Sequence, residues 1–184
     1  VQQPASALGR TEVTHLFPTF LWAHDIADAA HVKQQVLTAL AELRRASPMQ
    51  RDDRSAWQSR GDLYRQAAFQ PLCEAILTAS RSVVDYMRWR CERVEITDLW
   101  ANVSWGSHFH RLHAHPNNFL SGVYYAQIPP GAGSIAFRDP RPQTQILAPA
   151  VSELTPVNRV HYPIQAEEGK LLLFPSWLEH VVQA

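Results

Sequence analysis

A mainly β body of jelly-roll type with supporting helices at its N-terminal side is the fold class this chain predicts, and three observations predict it. Residues 1–92 carry apolar side chains at helical spacing. Residues 93–184 break into short apolar stretches, and proline and glycine punctuate those stretches at close intervals. The length of 184 residues suits one domain with one core, and 46% hydrophobic against 18% charged residues places the chain among globular proteins. We expect a single domain over 1–184 of the α+β class, with 1–92 as helical support and 93–184 as the β body.

The elements follow in order. HLFPTFLWAHDI, residues 15–26, reads as an extended opening strand interrupted at Pro18. Asp28 is positioned to cap a helix whose Val32, Val36, Leu40 and Leu43 recur on one face. The polar stretch SPMQRDDRSAWQSRGDLY reads as a loop with Trp57 turned inward. A second helix carries Leu72, Ile76, Ala79, Val83 and Met87 as a stripe for packing on a sheet. RVEITDLWANVSW alternates as a strand does until Gly106 breaks it, and FLSGVYYAQI is rich in β-formers. PPGAG supplies a turn, SIAF returns, and DPRP ends that strand. QILAP and RVHYPIQ are short strand candidates, and EEG turns the chain into KLLLF, an apolar run suited to burial on both faces.

Composition narrows the function classes. The formal net charge is zero, so nothing points to non-specific binding of nucleic acid or anionic membranes. No apolar run reaches membrane-spanning length, and the N-terminus shows no charged-then-apolar leader pattern. Cys73 and Cys91 lie 18 positions apart. On a continuous helix that is about 27 Å, beyond disulfide reach. Two unpaired thiols suit a reducing, cytoplasmic setting.

The chemistry sits in the histidines. His108, His110, His113 and His115 put four of the nine histidines of the chain into eight positions, immediately before a β-rich run. Either they form a solvated surface patch or they hold a metal. Neutral imidazole is a metal ligand, and side chains at i and i+2 share one face of a strand. His113 and His115 make one such pair, whereas His108 and His110 have the opposite parity and face away on a regular strand. Pro116 holds His115 in extended backbone. A third imidazole, His180, follows a buried strand through Pro175 and Trp177. Two near neighbours and one distant histidine can cap one face of an iron octahedron and leave the other face open.

Two blocks, HAHPNNFLSGVYYAQIPPGAGSIAFRDPR and EEGKLLLFPSWLEHVV, resemble the 2-oxoglutarate/Fe(II) oxygenase family with an H-x-H-P-x-S-x-L-S-G-V-Y-Y-like segment and a later F-P-S-W-L-x-H. LFPTF, WQSRGDL and LWANVSWG are similar to its earlier blocks, so the resemblance spans about residues 15–182. It implies a double-stranded β-helix, Fe(II) and 2-oxoglutarate as cofactors, and O2-dependent hydroxylation of an unactivated C–H bond in a small molecule, amino acid or peptide. It also implies His113 and His180 as metal ligands, and it places His115 where the wider superfamily usually has a carboxylate. We expect a His113–His115–His180 site. Asp139 is the alternative carboxylate ligand, and water or chloride the other alternative at that position.

For the co-substrate, the superfamily uses an arginine or lysine beyond the distal histidine, and the sequence ends at Ala184, four residues past His180. Arg138 or Arg141 is the candidate replacement, since a guanidinium grips a carboxylate bidentately. Asn102, Ser121 and Tyr125 are candidate polar groups of the wall, the last two sharing strand parity. Trp100, Trp105 and Trp177 are candidates for the apolar lining. Loops 47–66 and 139–160 are expected to frame the pocket, where Arg51, Arg54, Arg60, Arg138 and Arg141 hint at an anionic partner. Two other readings stay open: a cupin-like three-histidine metalloenzyme that uses no keto acid, and a non-catalytic β-sandwich binding module. No G-x-S-x-G elbow or phosphate-cradling glycine loop is present.

Overall fold

The structure, a computed structural model, describes residues 9–47, 56–104, 109–131 and 133–182. Trp105, His108, Arg51 and Arg54 lie outside them.

The opening strand is shorter than its sequence suggests. Strand β1 covers Trp22–Asp25, and helix α1 then runs Ala29–Ala46 with Val32, Val36, Ala39 and Leu40 buried. Asp28 bounds α1 but makes no side-chain cap; it sits in the left-handed region at φ 52°, and its carbonyl accepts from the amides of His31 and Val32. Aspartate tolerates that conformation better than most residues, so the position serves as a bend. The polar loop keeps Trp57 inside as expected: Trp57 is buried, and its indole donates to the Ser47 carbonyl at 3.2 Å. Trp57–Gln58 forms β2, paired antiparallel with β3, Asn102–Val103. The rest of the alternating stretch 93–101 joins no strand among the described residues, and Leu99 makes an isolated bridge to Asp62.

Helix α2, Gln70–Met87, carries the expected stripe. Its Ala79 and Val83 pack on Leu171 and Leu173 of β8, Lys170–Pro175. Alternate residues of the same strand, Leu172 and Phe174, face the other way onto Ile135, Phe137 and Leu178. Strand β8 is therefore buried on both faces, which is why its sequence is continuously apolar.

The body comprises two antiparallel sheets. One has the order β1-β8-β5, where β5 is Leu120–Tyr124. The other has the order β4-β9-β6-β7, with β4 His110–His113, β6 Ser134–Arg138, β7 His161–Gln165 and β9 His180–Val182. Side chains of both sheets meet in one interior cluster, which gives the jelly-roll form. The helices cover the outer face of the first sheet. Pro163 lies within β7, and it is tolerated because β7 is the edge strand. QILAP is not a strand: Gln143–Ile146 makes one turn of helix, α3, and the chain then runs on irregularly. Pro142 at its start has helical backbone angles, and among the described residues no strand pairs with Ile146 or Leu147, which stay exposed.

Gly122 is required by close approach. A Cβ there would stand 2.8 Å from the Leu172 carbonyl oxygen and 2.7 Å from a Leu173 methyl. Both distances are below ordinary contact, and the carbonyl is fixed in the β5–β8 ladder.

Candidate metal centre

All three expected imidazoles arrive at one end of the jelly roll. His113 closes β4 and His180 opens β9, and the two are register partners across the ladder. His115 lies two residues past β4, where its amide donates to the Ser176 carbonyl at 2.9 Å. That bond, together with Pro116, turns the third ring back over the other two. Ring centroids are 4.3 Å apart for His113–His180, 4.9 Å for His113–His115 and 5.2 Å for His115–His180. One nitrogen from each ring lies within 4.8 Å of the other two, which is close enough for a shared ion.

The rings are also prepared chemically. The Nδ1 of His113 sits 2.7 Å from the Arg111 carbonyl, and that of His180 sits 3.0 Å from the Leu178 carbonyl. A carbonyl can only accept, so Nδ1 carries the proton in both and the lone pair is left on Nε2. His180 is 4% exposed, and burial drives its pKa down to about 4; the Leu178 bond opposes this, and the nearby His113, His115 and His110 add to it. Burial and then His113 also lower His115. Neutral imidazoles at physiological pH are the form that ligates.

Aromatic packing fixes the distal ring. Phe174 meets His180 edge-on at 4.9 Å, and Phe137, its register partner on β6, lies 5.9 Å away. Trp100 lies 5.7 Å from His115 and is partly exposed, as an outer wall would be. Trp177 is 58% exposed on the turn before β9.

The remaining expected residues divide. Ser121 and Tyr125 both face the interior: the Ser121 hydroxyl is 2.8 Å from that of Ser176, and Tyr125 packs on the interior cluster. Ser176 is fully buried, and its carbonyl is the one that holds His115, so it links Ser121 to the triad. Burial pushes the Tyr125 phenol up to about 12, and its oxygen has no hydrogen-bond partner among the described residues. Asn102 is exposed on β3 opposite Gln58; Trp100, two residues earlier, is the side chain of that segment that reaches His115.

Arg138 follows Phe137, so strand alternation turns it to the outer face, where it pairs with Glu179 at 3.1 Å. Asp139 does not join the cluster. Its oxygens are taken by Arg141, at 2.6 Å from Nη2 and 3.0 Å from both Nε and the backbone amide. That guanidinium holds the Asp139 carboxyl below its ordinary pKa. Arg60 pairs with Asp62 at 3.6 Å.

Sequence parity had set His110 facing away from His113. The ladder shows otherwise: His110 pairs with Val182 and His113 with His180, so three steps on β4 oppose two on β9. The extra residue is a β-bulge, which returns His110 to the face of His113. Nothing in the sequence marks it.

Comparison with known proteins agrees with this geometry. Residues 98–184 match the family model described as "Putative 2OG-Fe(II) oxygenase". Among solved structures, a Pseudomonas putida prolyl-4-hydroxylase is similar in fold, with a TM-score of 0.60 at 15% identity over 90% of this chain and 85% of the hydroxylase chain. No curated protein matches the sequence. No helix among the described residues is long and apolar enough to cross a membrane. The donor set suits the metal named in that family description, since three imidazole nitrogens fit a borderline divalent ion such as Fe(II). The matched segment contains every imidazole of the cluster, and over it the chain is similar to the 2-oxoglutarate/Fe(II)-dependent oxygenases.

Proposed function

We propose that the protein hydroxylates an unactivated C–H bond of a small molecule, an amino acid or a peptide, with Fe(II) held by His113, His115 and His180. The carrying observation is the convergence of three imidazole rings, two of which turn Nδ1 to a backbone carbonyl and keep Nε2 for a ligand. Bound iron and 2-oxoglutarate supply the oxidising power: one atom of O2 goes into succinate, with release of CO2, and the other becomes the hydroxyl of the product.

The tasks of the chain itself are positional. Arg111 and Leu178 offer their carbonyls to aim two rings, and the Ser176 carbonyl sets the third. Phe137 and Phe174 shield His180 from water. Ser121 and Tyr125 serve the keto acid. The Ser121–Ser176 pair has two hydroxyl protons and spends one on the mutual bond, and Tyr125 keeps its own proton. Buried donors of this kind call for an acceptor-rich ligand, and a dicarboxylate is one. Arg138 has no part in this reading, because it faces outward.

Loops at the metal end expose Phe119, Leu147 and Trp177, which supports a substrate that presents apolar surface to the site. Purified protein incubated with Fe(II), 2-oxoglutarate and candidate substrates, including proline-containing peptides after the structural neighbour, is expected to release succinate in step with hydroxylated product. The all-imidazole donor set favours one rival, a metalloenzyme that needs no keto acid. Tight metal binding with no succinate from any substrate would establish that rival instead.

A further inference from the structure

Two stretches of chain on the helical side are joined by a short seam and then part around an open hollow. At the seam the amide of Ser59 donates to Ala101, that of Leu63 to Leu99 and that of Leu99 to Gly61, at 2.9–3.1 Å. Beyond it, residues 94–98 belong to no helix or strand, and among the described residues their amides and carbonyls make no hydrogen bond. Their side chains alternate: Val94 and Ile96 are half-buried, Glu95 and Thr97 exposed. Across a hollow of about 560 Å³ this run faces Tyr64, Gln70, Cys73 and Leu77. Tyr64 and Thr97 also line an adjoining hollow of about 410 Å³, so the two form one groove.

One end of that groove reaches the metal centre. The Thr97 hydroxyl donates to the Asn118 side chain at 2.9 Å, on the loop between His115 and β5, and Trp100 lies 5.7 Å from His115. A run of unpaired backbone donors and acceptors beside a hollow is completed by another main chain, which pairs with it and sets alternate side chains into the hollow. A small molecule offers no such series. Leu77, Val94 and Ile96 give the larger hollow an apolar part suited to one such side chain. We propose that residues 94–98 are a docking edge for an extended polypeptide substrate, whose flanking segment lies in the groove while its reacting residue reaches the metal centre. This rests on the oxygenase reading above and names its substrate as a polypeptide, held largely through its backbone.

The test measures binding, not turnover. A library of short random peptides is selected on the Mn(II)-loaded protein with 2-oxoglutarate under anaerobic conditions, and the tightest peptide is resynthesised. Its binding is expected to slow amide exchange across residues 94–98. The Leu99 amide crosses the seam to Gly61, and strand alternation turns the Thr97 amide to the same side. Thr97→Pro removes that donor, while Thr97→Ala keeps it and loses only the bond to Asn118. Proline should weaken the peptide at least about five-fold, the worth of one hydrogen bond, and alanine should leave it nearly unchanged. With the protein intact, N-methylation of the peptide at each amide in turn should weaken it at alternate positions. Protection elsewhere, or equal loss in the proline and alanine variants, overturns the docking edge. Protection of residues 94–98 that appears without peptide as protein concentration rises gives the edge to a second copy, and overturns the substrate assignment. Calorimetry with 2-oxoglutarate alone keeps the two readings apart. If the keto acid binds and no peptide is selected, the docking edge falls and the oxygenase reading stands; if the keto acid does not bind, the oxygenase reading fails and the substrate assignment goes with it.

Discussion

Replacing His180 with alanine is expected to abolish the stabilisation that a divalent metal gives this protein. An ion that binds only the folded state at one hundred times its dissociation constant contributes about 2.7 kcal/mol. For a chain of this length each kcal/mol moves the melting temperature by about 2–4 °C, so the wild type should gain about 5–11 °C on adding Mn(II). His180 is the most buried of the three rings and sits on the strand between β4 and β6, so neither remaining ring can take its place. The variant also loses ring contacts to Phe137 and Phe174, at 5.9 and 4.9 Å. A cost of about 1–3 kcal/mol in the metal-free protein is expected from that lost packing. Differential scanning calorimetry with and without Mn(II) separates the two effects: the metal-free melting temperature falls, and the metal-induced shift disappears. A variant that keeps the full shift would place the ion somewhere other than these three rings.

Further outcomes follow from single contacts. Gly122→Ala drives a methyl against the Leu172 carbonyl and should cost about 1–3 kcal/mol in urea unfolding while metal content is unchanged. Trp57→Ala should cost about 3–5 kcal/mol, and Trp57→Phe, which removes mainly the bond to Ser47, about 1 kcal/mol in the same assay. Asp139→Asn should leave metal stoichiometry intact, because its carboxylate belongs to Arg141. The folded-state pKa of Asp139 is depressed, so its contribution is present above the unfolded value near 3.9 and fades as pH falls through the folded value. Because Arg141 is mostly exposed, that contribution is at most about 1 kcal/mol, seen as a small difference between wild type and Asp139→Asn that vanishes at low pH.

The sequence carried the two ends of the site clearly. His113 and His115 are two apart beside a proline, and His180 follows a doubly buried strand; spacing alone left a surface patch open, and the family resemblance decided for the three together. The stripe of α2 was equally plain, because a sheet-facing helix needs apolar residues every three or four positions. What stayed hidden was decided by partners far along the chain. The bulge that turns His110 inward exists only in relation to β9, and strand parity read from β4 alone gives the wrong face. Ser176 looks like any small turn residue until its carbonyl meets His115 and its hydroxyl meets Ser121. QILAP has strand composition, but no strand among the described residues lies alongside it to receive its hydrogen bonds. Asp28 had the right chemistry for a cap and was taken instead for its tolerance of a left-handed bend.

The order of strands in the second sheet gives the two sides of the cluster unequal footing. Strand β9 is bonded along both edges, to β4 and to β6, whereas among the described residues β4 is bonded on one edge, and the loop after it carries His115. The distal imidazole is thus mounted on the stiffer support, and the pair on the more yielding one. Amide exchange in the metal-free protein should consequently quicken first around residues 110–115 and last at 180–182, so that ion release begins by the outer strand peeling from a fixed post.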